Sequence, residues 1–196
     1  IQRMAAERRT LAALNHPNIA HLVDGGVTVD GRPFLALEYV DGLRIDHWCR
    51  DRDLPLRARI ELFLKVCAAV EHAHQHLVIH RDLKPANILV AADGEPKLLD
   101  FGIARLLDDA STAGSTHTAH HPLTLAYASP EQIEGQPLTT AVDIWALGVV
   151  LYELVCGQRP FQQLEGHRLG SAIGTHEDGP PSRHKREPAR QASEAG

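Results

Sequence analysis

The sequence has little cysteine, no long apolar run and no dense cluster of positive charge. Its three cysteines, Cys49, Cys67 and Cys156, are scattered and odd in number, which argues against a disulfide scaffold. With no secretory leader legible at its start, the chain is expected in a reduced, cytoplasmic setting. No apolar stretch approaches the ~20 residues of a membrane span. A formal net charge of -5, from 20 Lys and Arg against 25 Asp and Glu, leaves no basic patch for nucleic acid. What remains is an ordinary globular composition, 43% hydrophobic and 23% charged over 196 residues, with room for one core that can divide into two lobes.

Chemistry concentrates in residues 80 to 102. These read His80-Arg81-Asp82-Leu83-Lys84-Pro85-Ala86-Asn87-Ile88-Leu89-Val90, then a turn, then Asp100-Phe101-Gly102. Asp93-Gly94 predicts a hairpin turn between the apolar runs Ile88 to Val90 and Leu98 to Leu99, which brings Asn87 back toward Asp100. A carboxylate and an amide oxygen are hard ligands suited to Mg²⁺. Asp82 can accept a hydrogen bond from an incoming hydroxyl, and Lys84 can meet a phosphate as a point charge. Metal ions on a triphosphate, an aimed hydroxyl and positive charge are what phosphoryl transfer needs.

The loop and the second motif, in this order and spacing, resemble the protein kinase family, and lysine at position 84 resembles its Ser/Thr branch. The resemblance implies an α+β, protein-kinase-like fold, truncated and two-lobed, with a partial β-rich N-lobe at 1–40 and a mostly helical C-lobe portion at 41–165. Residues 166–196, rich in Gly, Pro, Ser, His and charges, read as a disordered tail. In the family's order a glycine-rich loop and a strand lysine precede residue 1 and more helices follow residue 165, so the 196 residues alone are expected to be marginally stable and to transfer little phosphate.

The implied activity is transfer of the ATP γ-phosphate to Ser or Thr hydroxyls of proteins, with ATP and Mg²⁺ as cofactors. The alternative is a pseudokinase or a truncated nucleotide- or protein-binding module. Asp82, Lys84, Asn87 and Asp100 are the implied catalytic residues, with Asn87 and Asp100 on the metal. Glu38-Tyr39-Val40-Asp41-Gly42 resembles the hinge between lobes: backbone groups of Glu38 and Val40 would meet an adenine edge, Leu37 would guard the back of the pocket, and Leu89 would form its floor. Glu7, before the His16-Pro17-Asn18-Ile19 segment, falls where the family places the partner of the strand lysine.

Residues 103 to 123 match the activation segment, with Ser111, Thr112, Ser115, Thr116 and Thr118 as candidate phosphosites and Arg81 as the cation to hold a phosphate. Ser129 stands in Ala128-Ser129-Pro130-Glu131 where the family usually has alanine. Thr124 and Glu131 take supporting roles. Asp143 would hydrogen-bond the catalytic loop backbone near His80, beneath a stack of Leu11, Leu22, His80 and Phe101, next to Gly102. Tyr127-Ala128-Ser129-Pro130-Glu131-Gln132 and the alanine-rich composition resemble the bacterial, eukaryotic-like members of the family, which are often tethered by a downstream span that would anchor the parent protein.

Periodicity predicts an N-terminal helix over residues 1 to 14, stopped at Asn15-His16-Pro17, and a half-buried helix from Pro55 to Leu77. A second, nearly all-apolar helix runs over 139 to 156, opened by Thr and closed by Gly157. Alternation around Asp30-Gly31 predicts strands Val27 to Val29 and Phe34 to Val40, and Gly25-Gly26 reads as the start of that hairpin, not a phosphate loop. His72, His74, His76 and His80 crowd together, but no Cys or Glu completes a metal site, so packing is the expected role of His80.

Overall fold

Apolar residues at Ile88 and Val90, flanked by Asn87 and by Asp93-Gly94, fold back on Leu98 because Gly94 adopts a left-handed φ of 86° that other residues resist. In the computed structural model, which describes residues 14–30, 33–100 and 125–162, this hairpin is the centre of the fold. Strand β1 (Leu22–Val27) pairs antiparallel with β2 (Pro33–Leu37). Strand β3 (Gly42–Arg44) leads into helix α1 (Ile45–Asp51), followed by the long helix α2 (Leu56–Gln75). A single 3₁₀ turn over Pro85–Asn87 opens β4 (Ile88–Ala91), which returns as β5 (Pro96–Leu98). The short helix α3 (Pro130–Ile133) precedes α4 (Ala141–Cys156). Glu7, Leu11, Phe101, Gly102, Thr124, the candidate phosphosites and the 166–196 segment lie outside the described residues.

The second sheet has the order β3-β4-β5, with Arg44 opposite Leu89 and Ile88 opposite Leu98. A parallel bridge from Ile19 to Leu98 stitches the segment before β1 onto the hairpin, through Leu98 N to Asn18 O at 2.8 Å and Ala20 N to Leu98 O at 2.9 Å. Ile45, Val66, Val70, Leu83, Ile88, Val90, Leu98 and Val150 are buried in one core. Each such side chain contributes roughly 1.5–3 kcal/mol. Arg59 of α2 donates to Leu154 O of α4 at 2.9 Å and so satisfies a carbonyl at that helix's C-terminal end. Gly157 ends α4 at φ 75°. At the other end the Thr139 hydroxyl, not that of the cap residue Thr140, accepts from Ala141 N at 3.2 Å.

Two local expectations shift. The first hairpin strand spans Leu22–Val27 rather than Val27 to Val29, because a register irregularity between Leu22 and Asp24 admits the Gly25-Gly26 pair into the strand. Such a bulge hides the period-2 pattern. The Phe34 ring lies over Gly26, where an added Cβ would stand 3.1 Å from the ring. The partner strand stops at Leu37. Helix α1 was not anticipated, although Ile45, Trp48 and Cys49 make its buried stripe. Among the described residues the outer face of α4 has no cover: Ile144 is 59% exposed beside a groove of about 820 Å³ lined by Trp145, Gly148, Tyr152 and Phe161 among others.

Gly42 packs against the backbone of β4, and a Cβ there would lie 2.6 Å from Val90 O. Backbone has no rotamer by which to yield. Gly42→Ala is therefore expected to destabilise the chain by roughly 1–3 kcal/mol, read as a lower urea midpoint at unchanged slope.

Candidate active site

Asp143, in the first turn of α4, is 1% exposed and receives donors from two other segments. Its Oδ2 accepts from His80 N at 2.8 Å and lies 2.7 Å from His74 Nε2; its Oδ1 accepts from Arg81 N at 2.8 Å. An ionised carboxylate can only accept, so His74 carries its proton on Nε2. The interaction fixes the loop at its first two residues. Arg81 there holds a φ of 68°, a conformation that costs a non-glycine residue roughly 1–3 kcal/mol and persists only where its surroundings enforce it.

The buried His80 ring joins the loop to the hairpin. Nε2 lies 2.8 Å from Leu99 O, and a carbonyl can only accept, so the ring proton sits on Nε2. Nδ1 is then free to accept from Asp82 N at 3.3 Å. A neutral imidazole thus spans the residue before Asp100 and the backbone of Asp82. Burial, more than any neighbouring charge, holds its pKa below the ordinary value.

The Asp82 carboxylate is held on one oxygen: Lys84 Nζ lies 2.7 Å and Asn87 Nδ2 3.2 Å from Oδ2. Asn87 Nδ2 also donates to Asp82 O at 2.8 Å. Both amide protons of Asn87 therefore face Asp82, and its Oδ1 remains as an oxygen ligand. Asn87 O accepts from Leu99 N at 2.8 Å, which sets Asn87 against the residue adjoining Asp100. Asp100 is exposed, with φ 46°. The oxygen donors of Asn87 and Asp100 suit Mg²⁺, which binds through one or two protein groups and keeps water or phosphate oxygens for the rest. Among the described residues no group of three or more His, Cys, Asp or Glu converges on a metal position.

Glu38 donates its N–H to His21 O at 2.8 Å, so toward a base it has only its carbonyl to offer. Its carboxylate accepts from His21 N at 3.1 Å and pairs with Lys97 at 3.0 Å; these two contacts, the backbone one first, hold its pKa below the carboxylate range. Leu37, Val40 and Leu89 are half-buried. Leu22 is half-buried too, while Glu131 lies in the first turn of α3 and lines the groove on α4. The His72 ring lies beside those of His16 and His76, tilted, with centroids 5.2 and 4.4 Å away, separate from His74 at Asp143 and His80 in the loop.

Sequence reasoning missed Gln132. Its Nε2 donates to Arg81 O at 2.8 Å, while its Oε1 accepts from Ser129 N at 3.1 Å and the Ser129 hydroxyl accepts from Gln132 N at 3.4 Å. The signal was present as a Ser-x-x-Gln capping box with Pro130 at the first helical position.

A family model described as the protein kinase domain matches residues 1–193. The chain belongs to the protein kinase family. It is 39% identical over 163 residues to the serine/threonine-protein kinase PknB of Mycobacterium leprae, a match covering 81% of this chain and 26% of that protein. It is 41% identical over 163 residues to PknB of Mycolicibacterium smegmatis, again 81% and 26%. A probable serine/threonine-protein kinase of Corynebacterium efficiens, CE0033, is 37% identical over 187 residues, covering 93% of this chain and 28% of that one. The chain spans about a quarter of the length of these relatives. The described elements, small antiparallel sheets followed by helices, are those of a truncated two-lobed α+β kinase fold, and no described helix is long and apolar enough to cross a membrane.

Two outcomes follow from the anchors. Asp143→Ala orphans three donors, two of them backbone amides of the loop, and is expected to destabilise the chain by on the order of 3 kcal/mol in chemical denaturation. The His80 ring binds its proton more weakly folded than unfolded, so its contribution is intact above about pH 6.5 and is lost as pH falls from there toward the lowered value. His16, also lowered by burial and by His72, acts in the same direction. Stability should therefore drop on acidification below about pH 6.5, with the His80 Cε1 resonance titrating at lower pH than that of an unfolded histidine.

Proposed function

We propose that the chain is the catalytic part of a kinase that transfers the γ-phosphate of ATP to Ser or Thr hydroxyls of protein substrates. The observation that carries this reading is the Asp82 carboxylate, held on one oxygen by Lys84 and Asn87 while the hairpin sets Asn87 against the chain entering Asp100.

In this reading Oδ1 of Asp82 accepts the hydrogen bond of the incoming alcohol, orients it in line and receives its proton as the bond to the γ-phosphorus forms and the bond from that phosphorus to the β–γ bridging oxygen breaks, releasing ADP. Lys84 lies beside it as the cation for the transferred phosphate. Asn87 Oδ1 and Asp100 are the groups that would hold magnesium, which would supply positive charge against that developing on the phosphate oxygens. The Glu38 carbonyl and the Val40 backbone would meet the adenine edge between Leu37 and Leu89, and the resemblance gives Glu7 the role of partner to a strand lysine. His80, Arg81, Phe101, Gly102, Thr124, Glu131 and Asp143 support the loop and the activation segment, where a phosphate of about -1.5 to -2 charge would dock on Arg81. An ATP-dependent enzyme whose three cysteines are thiols fits the cytoplasmic side. Retention of Asp82, Lys84, Asn87 and Asp100 together favours transfer over nucleotide binding without turnover.

The test is phosphate transfer by the full-length protein to a generic basic protein, beside nucleotide binding by calorimetry. Asp82→Asn should lower transfer by on the order of 10²–10⁴-fold with Mg-ATP affinity kept, whereas Asp100→Asn should weaken Mg-ATP binding itself. Full turnover by Asp82→Asn would reject the reading.

A further inference from the structure

The geometry points to Gln132 as a positioning residue for Asp82, an inference that rests on the phosphotransfer reading above. The peptide between Arg81 and Asp82 is clamped at both edges. Its carbonyl accepts from Gln132 Nε2 at 2.8 Å, and its N–H donates to His80 Nδ1 at 3.3 Å. The preceding N–H of Arg81 is taken by Asp143 at 2.8 Å. Arg81 holds its left-handed φ of 68° between these contacts, and the direction in which Asp82 leaves the backbone follows from the clamped plane.

The other end of the Gln132 side chain is fixed as well. Oε1 accepts from Ser129 N at 3.1 Å, and Ser129 is fully buried. The two halves of the amide therefore have opposite tasks, acceptor toward α3 and donor toward the catalytic loop. Glutamate would serve the capping box equally well but has no proton for Arg81 O. Where Ser129-Pro130-Glu131-Gln132 sits is thus transmitted to the catalytic carboxylate through one side chain, 51 residues removed in sequence from Arg81.

The full-length protein with Gln132→Glu, and with the uncharged Gln132→Met as a second variant, tests this against Ser129→Ala, which weakens the box and leaves the donor. Both Gln132 variants should lose about tenfold in kcat, the effect of one part-buried hydrogen bond, with KM for ATP within about twofold. Amide hydrogen exchange at Asp82 should quicken by a similar factor. Ser129→Ala should change kcat less than about threefold and leave Asp82 exchange as in the parent. Wild-type kcat and Asp82 exchange in the Gln132 variants would overturn the inference. Equal losses in all three variants would also overturn it, since the role would then be helix stability alone. A parent protein that transfers no phosphate would refute the phosphotransfer reading, and Asp82 exchange would still decide the role of Gln132.

Discussion

One buried carboxylate organises the centre of this chain. Asp143 carries its charge into the core, where an isolated carboxylate is strongly disfavoured. Three donors from α2 and the catalytic loop satisfy it at 2.7–2.8 Å. Because two of these donors are consecutive backbone amides, the contact dictates a path for the main chain and not merely a side-chain rotamer. Arg81 is thereby held in a left-handed conformation, and the loop turns sharply enough to set Asp82 facing Lys84 and Asn87. The nearly all-apolar helix α4 and the polar loop over residues 80–87 are in this way parts of one device.

From that anchor the order passes outward through His80. Its ring links the backbone of Asp82 to Leu99, and the hairpin hydrogen bond from Leu99 N to Asn87 O closes the circuit. The loop, the hairpin and the chain entering Asp100 cannot move independently while the imidazole stays neutral. The same hairpin carries Lys97, which pairs with Glu38 at 3.0 Å, so the residue following β2 is tied to the hairpin by charge, as the segment before β1 is by the Ile19 to Leu98 bridge.

Much of this was legible in the sequence because short-range rules governed it. Asp93-Gly94 determined a hairpin, helical spacing marked α2 and α4, and Gly157 marked an end. The parts that were not legible depended on partners distant in sequence or on patterns too short to register. The irregularity at Leu22 to Asp24 shifted a strand that the Gly25-Gly26 pair had disguised. Helix α1 is only two turns long, so its stripe gave little periodicity. His74 read as one of a crowd of histidines until Asp143 singled it out. Gln132 was passed over although Ser129 had been noticed, because a capping box announces a helix start while its reach to Arg81 O exists only in the folded chain.

The central claim is that the loop and hairpin gather Asp82, Asn87 and Asp100 around one metal–nucleotide position, and paramagnetic broadening by Mn²⁺ with ATP tests it most directly. The account predicts distance-dependent loss of the Asn87 side-chain amide and of the Asp82, Leu99 and Asp100 backbone signals in the full-length protein, reversed by excess Mg²⁺. Broadening centred elsewhere, or none at these four residues with nucleotide bound, would contradict it.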